Sequence, residues 1–478
     1  MSLSSALSIA QSALLSTSRQ TSVVTRNVAD ASNADYSRRI AQVVSTAPGA
    51  RMVTIQRVVD QQLFRQNLSA LSSWSGQATV ASGLDRLQLA VNGVDNAGSA
   101  STAIGKLHNA LQLYATTPSN PNVGATVVDA ARQVVRSLNS GTQAIQSFRA
   151  DVDSQIAAAA SDLNHLLAQF EDVNKAIVSG TRTGTDVSDA LDKRDALLKK
   201  ISEYVPVTAH MRSDNDMVIT TTGGITMFET VARPVSFSPS PAYSPGMTGA
   251  ALYIDNVPFS VGSGEVSGKI AGLLQLRDGT TVAMQAQLDE IARGLVSAFA
   301  ETAPPLPDAA GLFTWSGAPN VPATLVNGLA GQISVNAAFD PDQGGDVSLL
   351  RDGGANGAGY VTNTAGTASF ADRLIAFGDR LDQPMSFSPA TGITASSSVT
   401  AYSANAIGWL ENARQQATTQ ADTKEALAAR TAEALSNATG VNIDMEMSLM
   451  LDLEHTYQAS ARLLTTVDEM LKTLLNAV

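Results

Sequence analysis

The chain has 478 residues, of which 44% are hydrophobic and 15% charged, with a formal net charge of −12 and no cysteine. That length supports several domains with buried cores, and the composition excludes a disordered polyelectrolyte. The acidic balance argues against general binding to phosphate backbones, and the missing thiols exclude disulfides, thiolate metal sites and a cysteine nucleophile.

The start, Met1-Ser-Leu-Ser-Ser-Ala, carries neither a basic region nor a continuous apolar run, so no cleaved Sec signal peptide is expected. No run of about 20 apolar residues suggests insertion in a membrane. Between residues 2 and 30, Leu3, Leu7, Ala10, Leu14, Thr17, Thr21, Val24 and Val28 recur at alternating steps of four and three. Such spacing draws one stripe down a helix, and Asn27, Asn33 and Asp35 are expected to end it.

Further helices are predicted over 59–92 with interruptions near Gly76 and Gly83, over 123–180, over 186–204, over 266–301 and over 404–439. Short β-branched runs such as Met217-Val-Ile-Thr-Thr-Thr and Ala251-Leu-Tyr-Ile, bounded by Gly, Pro, Asn and Asp, predict strands within 205–262 and 303–395. From Asn442 to Val478 there is neither Gly nor Pro, and one helix could run roughly 50 Å, capped by Asn442 or Asp444. Ile443, Met450, Tyr457, Leu464, Leu471 and Val478 mark one heptad row of it, and Leu453, Ser460, Val467 and Leu474 a second.

The expected fold is mainly α with an inserted β-rich domain. Long terminal helices (1–40 with 440–478) form a coiled-coil-like segment. A helical rod takes 41–204, 263–302 and 396–439, and an outer β domain takes 205–262 and 303–395. A buried Leu or Val contributes roughly 1.5–3 kcal/mol, so two apolar stripes at the chain ends demand partners. They are expected to pair with each other, with neighbouring copies, or both, and to be loosely ordered until they do.

Catalytic or metal chemistry finds little support. His108, His165, His210 and His455 have no second ligand at helical spacing. The run Asp340-Pro-Asp-Gln-Gly-Gly-Asp346 starts like a calcium loop but has Arg351 where the bidentate Glu belongs, and reads as a turn. A phosphate-loop reading of Gly262–Lys269 fails because Ser263 stands at a required Gly and Ile270 at a required Ser or Thr. No enzymatic activity and no cofactor are expected.

Two terminal segments carry a family likeness. Ala6-Leu7-Ser8, Gln11-Ser-Ala-Leu, Val24-Thr-Arg-Asn27-Val-Ala-Asp-Ala-Ser-Asn33 and Tyr36-Ser-Arg38 resemble the rod-type signature of the flagellar axial proteins: the rod, hook, hook-associated and flagellin subunits. Ala34-Asp35 replaces the usual Pro-Gly. Gly440-Val-Asn-Ile-Asp-Met-Glu446-Met, Tyr457-Gln-Ala-Ser-Ala-Arg and Asp468-Glu-Met-Leu-Lys-Thr-Leu-Leu are similar to that family's terminal helix. Ile55-Gln-Arg-Val-Val-Asp60, Leu191-Asp-Lys-Arg-Asp-Ala-Leu-Leu198 and Ser267-Gly268 through Arg277-Asp278 resemble its hook-associated branch rather than hook or distal rod subunits.

The resemblance implies a non-enzymatic, self-assembling subunit at the hook–filament junction, outside the cell, needed for motility. It implies export by the type III apparatus after a cytoplasmic chaperone has held the C-terminal helix. It also implies a ring of copies between the hook protein and hook-associated protein 3. The residues it implies for self-assembly are Leu3, Leu7, Ala10, Leu14, Thr17, Val24 and Val28 at one end. At the other, shared with the chaperone, they are Ile443, Met450, Leu453, Tyr457, Leu464, Val467, Leu471 and Leu474.

Overall fold

The computed structural model of the chain describes residues 3–46, 50–260 and 265–476. The first helix, α1 (Leu3–Ala29), leads into an antiparallel hairpin of β1 (Arg39–Thr46) and β2 (Ala50–Arg57), paired from Arg39 opposite Arg57. The sequence reading assigns no strand before residue 205. The β-branched residues Val43, Val44, Val53, Thr54 and Ile55 explain why these residues extend instead of joining the helical region.

Four helices follow: α2 (Gln61–Asn92), α3 (Ala100–Thr116), α4 (Pro121–Thr183) and α5 (Ser188–Tyr204). The α4 helix has 63 residues, about 95 Å at the standard rise. It starts on Pro121 behind an Asn120 cap and ends at the left-handed Gly184. Leu138, Ile145, Val152, Ile156, Leu163, Leu167, Phe170 and Ile177 bury one face along it, which makes α4 the spine of the core.

Next come a four-stranded antiparallel sheet, β3 (Val207–Met211), β4 (Met217–Thr221), β5 (Thr226–Glu229) and β6 (Val231–Ala232), and a three-stranded one, β7 (Val235–Ser236), β8 (Tyr253–Ile254) and β9 (Val257–Pro258). The chain then re-enters the helical body as α6 (Lys269–Gln275) and α7 (Thr281–Ala298), joined without a break by a π-helical turn at Leu276–Thr280.

Residues 303–395 depart from the β-rich expectation. They hold only the two-residue strands β10 (Phe313–Thr314), β11 (Ser334–Val335) and β12 (Met385–Ser386), the last paired with β13 (Ser396–Ser397) just beyond. Between these lie the one-turn helices α8 (Leu329–Gln332) and α9 (Leu349–Asp352) and the helix α10 (Asp372–Asp382). Here buried carboxylates, in place of long ladders, satisfy the backbone. Glu301 accepts from the amides of Gly354, Ala355 and Asn356, and Asp289 from those of Gly328 and Ala330.

Finally, α11 (Val399–Thr439) runs antiparallel to α2, with Asn67 bonded to Thr431 near one end and Asp85 paired with Arg414 near the other. α12 (Ile443–Asn476) then returns to α1. Asn442 caps it by accepting from the Met445 amide at 3.1 Å, the first of the two caps expected. The fold is therefore mainly α with inserted β elements.

The expected breaks at Gly76 and Gly83 do not occur, because α2 is continuous through both. A Cβ on Gly76 would meet the Val266 carbonyl oxygen at 2.8 Å, one on Gly272 would meet the Gly76 carbonyl oxygen at 2.8 Å, and one on Gly83 would strike Leu276. These glycines are where α2 and α6 cross in close contact. Gly268, at φ +84, makes the sharp entry to α6 that a side chain would resist.

Candidate functional site: the paired chain ends and their polar root

α1 and α12 pack along each other. Because Asn27 near the end of α1 bonds Glu446 near the start of α12, the two run antiparallel. On α1 the predicted stripe faces the seam: Ala10, Thr17 and Val24 are buried, and Leu7, Leu14, Thr21 and Val28 half-buried. Ser16 and Val23, one position before Thr17 and Val24, are also buried and widen it.

On α12 the seam follows the second heptad row. Leu453 and Ser460 are buried and Val467 half-buried, with Glu446 extending the row backwards. In the first row Met450, Leu464 and Leu471 are half-buried, while Ile443 is 52% and Tyr457 49% exposed. Those last two, expected among the assembly residues, face outward, because the helix turns its first row to the flank of the contact. The side chains of Leu3 and Leu474, and Val478 altogether, lie outside the described residues.

At the root of the pair sits a polar cluster. Asn27, fully buried, uses every hydrogen-bonding position of its carboxamide. Nδ2 donates to the Arg39 carbonyl at 2.9 Å and to Glu446 Oε2 at 3.0 Å, while Oδ1 accepts from Tyr36 OH at 2.8 Å and from the Arg39 amide at 3.1 Å. Glu446, also fully buried, takes Arg38 Nε on its other oxygen at 2.6 Å. Burial pushes the Tyr36 phenol up to about 12, so it stays a donor throughout the physiological range.

The cluster continues into the body. Arg39, stacked 4.7 Å over the Tyr36 ring, pairs with Asp189 and with Asp192 at 3.2 Å. Arg57 bridges Asp192 at 3.1 Å and Asp195. Arg194, fully buried, donates to Asn174 at 3.0 Å, and burial depresses its pKa to about 10. The terminal pair, the hairpin and α5 are thus held together by charge-assisted bonds. Asn27, read in sequence as a helix breaker, lies inside α1. Glu446, Arg39 and the three aspartates of α5 were missed as a site; the available signal was that motifs far apart in the chain each carry unmatched charge.

A second cluster straps the β7–β9 region to α4. Arg277, turned inward by the π turn, donates to Asp153 at 2.5 Å and to the Ala250 carbonyl at 2.8 Å, and Tyr243 OH donates to Asp153 at 2.9 Å. Asp340 caps its own turn and pairs with Arg132, so it is spent structurally. Among the described residues no group of three or more potential metal ligands occurs, and no helix is long and apolar enough to cross a membrane. Gly262 to Gly264, in the failed phosphate-loop match, lie outside the described residues.

Chain ends paired in an antiparallel stalk, rooted in a polar cluster on a long helical body, fit the class of flagellar axial subunits that the terminal segments resemble. Comparison with known proteins agrees. Residues 84–303 match the "Flagellar hook-associated protein FlgK helical domain", and residues 434–477 the "Flagellar basal body rod FlgEFG protein C-terminal" region. Flagellar hook-associated protein 1 of Bacillus subtilis (strain 168) is 21% identical over 524 residues, covering 99% of this chain and 98% of the relative. In fold, the chain resembles the flagellar hook junction protein FlgK from Burkholderia pseudomallei, with a TM-score of 0.58 and 14% identity over 77% of this chain and 99% of that one. The helical-domain match, the relative aligned along nearly the whole chain and the solved neighbour together support reading the chain as a flagellar hook-associated protein 1, a structural subunit of the hook–filament junction. The alternative assignment to a hook or distal rod subunit is not favoured.

Proposed function

We propose that the chain joins the hook–filament junction through its terminal pair, as one of a ring of copies set on the hook protein and followed by hook-associated protein 3. The observation that carries this reading is the half-satisfied stalk. Its seam is closed within the chain, yet Leu15, Ile443, Met445, Met447, Leu451, Leu463 and Met470 remain exposed on its outer faces. Apolar surface of that extent at the chain ends is stabilised when further subunits cover it.

In the cytoplasm an export chaperone covers the α12 rows, and the type III apparatus delivers the chain to the outside. Absence of cysteine suits passage through a narrow channel, since no cross-link can form on the way. The test is imaging of cells lacking this chain. Completed hooks without filaments, with flagellin shed into the medium, are expected; filaments on normal hooks would overturn the assignment.

A further inference from the structure

The outer surface of the terminal pair is not uniform. On α1 the exposed positions Ser8, Gln11, Leu15, Arg19, Ser22 and Arg26 follow helical spacing down one face. This face carries two arginines, with the small Ser8 and Ser22 among larger side chains, and residues 1–29 contain no acid at all. Arg19 makes no ion pair among the described residues, and Arg26 reaches Asp186 only at 3.9 Å.

On α12 the exposed positions Ile443, Met447, Leu451, Glu454 and Tyr457 form a second row beside the closed seam. This row is apolar with one acid, Glu454, and it has acidic neighbours in Asp444 and Asp452, with no Lys or Arg between Arg430 and Arg462. Asp444, Asp452 and Glu454 are exposed and make no ion pair among the described residues.

The two rows match in register as well as in character. Both helices rise equally per residue, so heights can be counted from the Asn27–Glu446 contact. Arg26 then lies level with Met447, Ser22 with Leu451 and Arg19 with Glu454, while Leu15 lies within one residue's rise of Tyr457. A basic residue meets an acid, a large apolar side chain meets a small one, and the exposed Leu15 meets an aromatic ring. Within one chain these rows point away from the seam, on different sides. They come together between two copies standing side by side at the same height.

We propose that the Met447–Leu451–Glu454–Tyr457 row of α12 docks on the Leu15–Arg19–Ser22–Arg26 face of α1 in the next copy of this chain. The contact joins unlike surfaces, so it repeats head to tail and closes into a ring or winds into a helix, where a self-complementary face would stop at a dimer. It deepens the assembly reading above and rests on it.

The cysteine-free sequence makes the test direct. Leu15→Cys and Tyr457→Cys are made singly at exposed positions, and cells expressing each alone must swim. Flagella are isolated from cells expressing both and oxidised. A disulfide-linked dimer of this chain that requires both variants is the expected result. Dimers formed by either variant alone would mean that like faces meet, and would overturn the proposal.

No cross-link in flagella that carry filaments would also overturn it while leaving the assembly reading intact; filaments on cells lacking the chain would sink both. As an independent measure, Arg19→Glu and Glu454→Arg should each lower the cross-link yield and together restore it. A double variant as poor as the singles counts against the pairing.

Discussion

Asn27 and Glu446, 419 residues apart in sequence, share a 3.0 Å hydrogen bond with neither side chain exposed to solvent. This bond fixes the phase of the terminal pair, because sliding one helix by a residue would cost each of these buried groups one of its partners. Arg38, bonded to the same carboxylate, carries that phase into the hairpin. Glu446→Ala leaves Asn27 Nδ2 one acceptor short and the Arg38 guanidinium without its counter-ion. A loss of about 3 kcal/mol in the docking of the terminal pair is expected. Limited proteolysis should then cut within α1 and α12 sooner than in the parent while the body stays resistant. Unchanged cleavage would show that the root does not hold the pair.

The α2–α6 crossing offers a sharper contrast. Gly76→Ala places a methyl group 2.8 Å from the Val266 carbonyl oxygen, where backbone rather than a flexible side chain must yield. It is expected to cost about 1–3 kcal/mol in a urea titration. Gly105, inside α3, has nothing within 4 Å of its would-be Cβ. Gly105→Ala is expected to stabilise by about 0.5–1 kcal/mol through helix propensity. Equal effects at the two sites would refute the close crossing.

Asp289 supplies a pH signature. Burial, opposed by the amides of Ala330 and Gly328 and by Gln285, pushes its carboxyl up to about 6. In the unfolded chain the group titrates near 3.9. Between those values the folded state binds the extra proton, so this residue's contribution to stability rises as pH falls from about 6 to about 4 and is constant above. The unfolding free energy of the parent minus that of Asp289→Asn should grow over that interval by at most about 3 kcal/mol. A flat difference would place the titration elsewhere.

The terminal stripes, the long central helices and the change of character after Tyr204 could be read from sequence because each rests on periodicity, which is local. What escaped depends on distant partners. Asn27 breaks an apolar pattern and looks like a helix end until Tyr36, Arg39 and Glu446 surround it. Gly76 and Gly83 look like interruptions until α6 lies across them. Residues 303–395 are rich in turn formers that suggest strands, yet Glu301 and Asp289 satisfy the amides that ladders would have used. The outward turn of Ile443 and Tyr457 shows the same limit, since two interleaved rows on one helix cannot be allotted to two partners by spacing alone.

Leu453 is the most buried apolar residue on the seam side of α12, and the polar root lies two turns away at Glu446. Leu453→Asp sets a carboxylate against the apolar side chains of α1. Separation of the pair costs less than burying that charge, so the helices should part while the root and body remain. In the free protein, proteolysis is expected to remove α1 and α12 and leave a core from about the hairpin to α11 with unchanged thermal unfolding. In cells the variant should be exported yet absent from hook tips, and filaments should be lost. Leu15→Asp, at a position 66% exposed, keeps the seam and spares the free protein's resistance. It therefore separates the two contacts: normal proteolysis with lost filaments means that the outer face matters in its own right. Normal filaments in both variants would show that neither face of the terminal pair is needed for assembly.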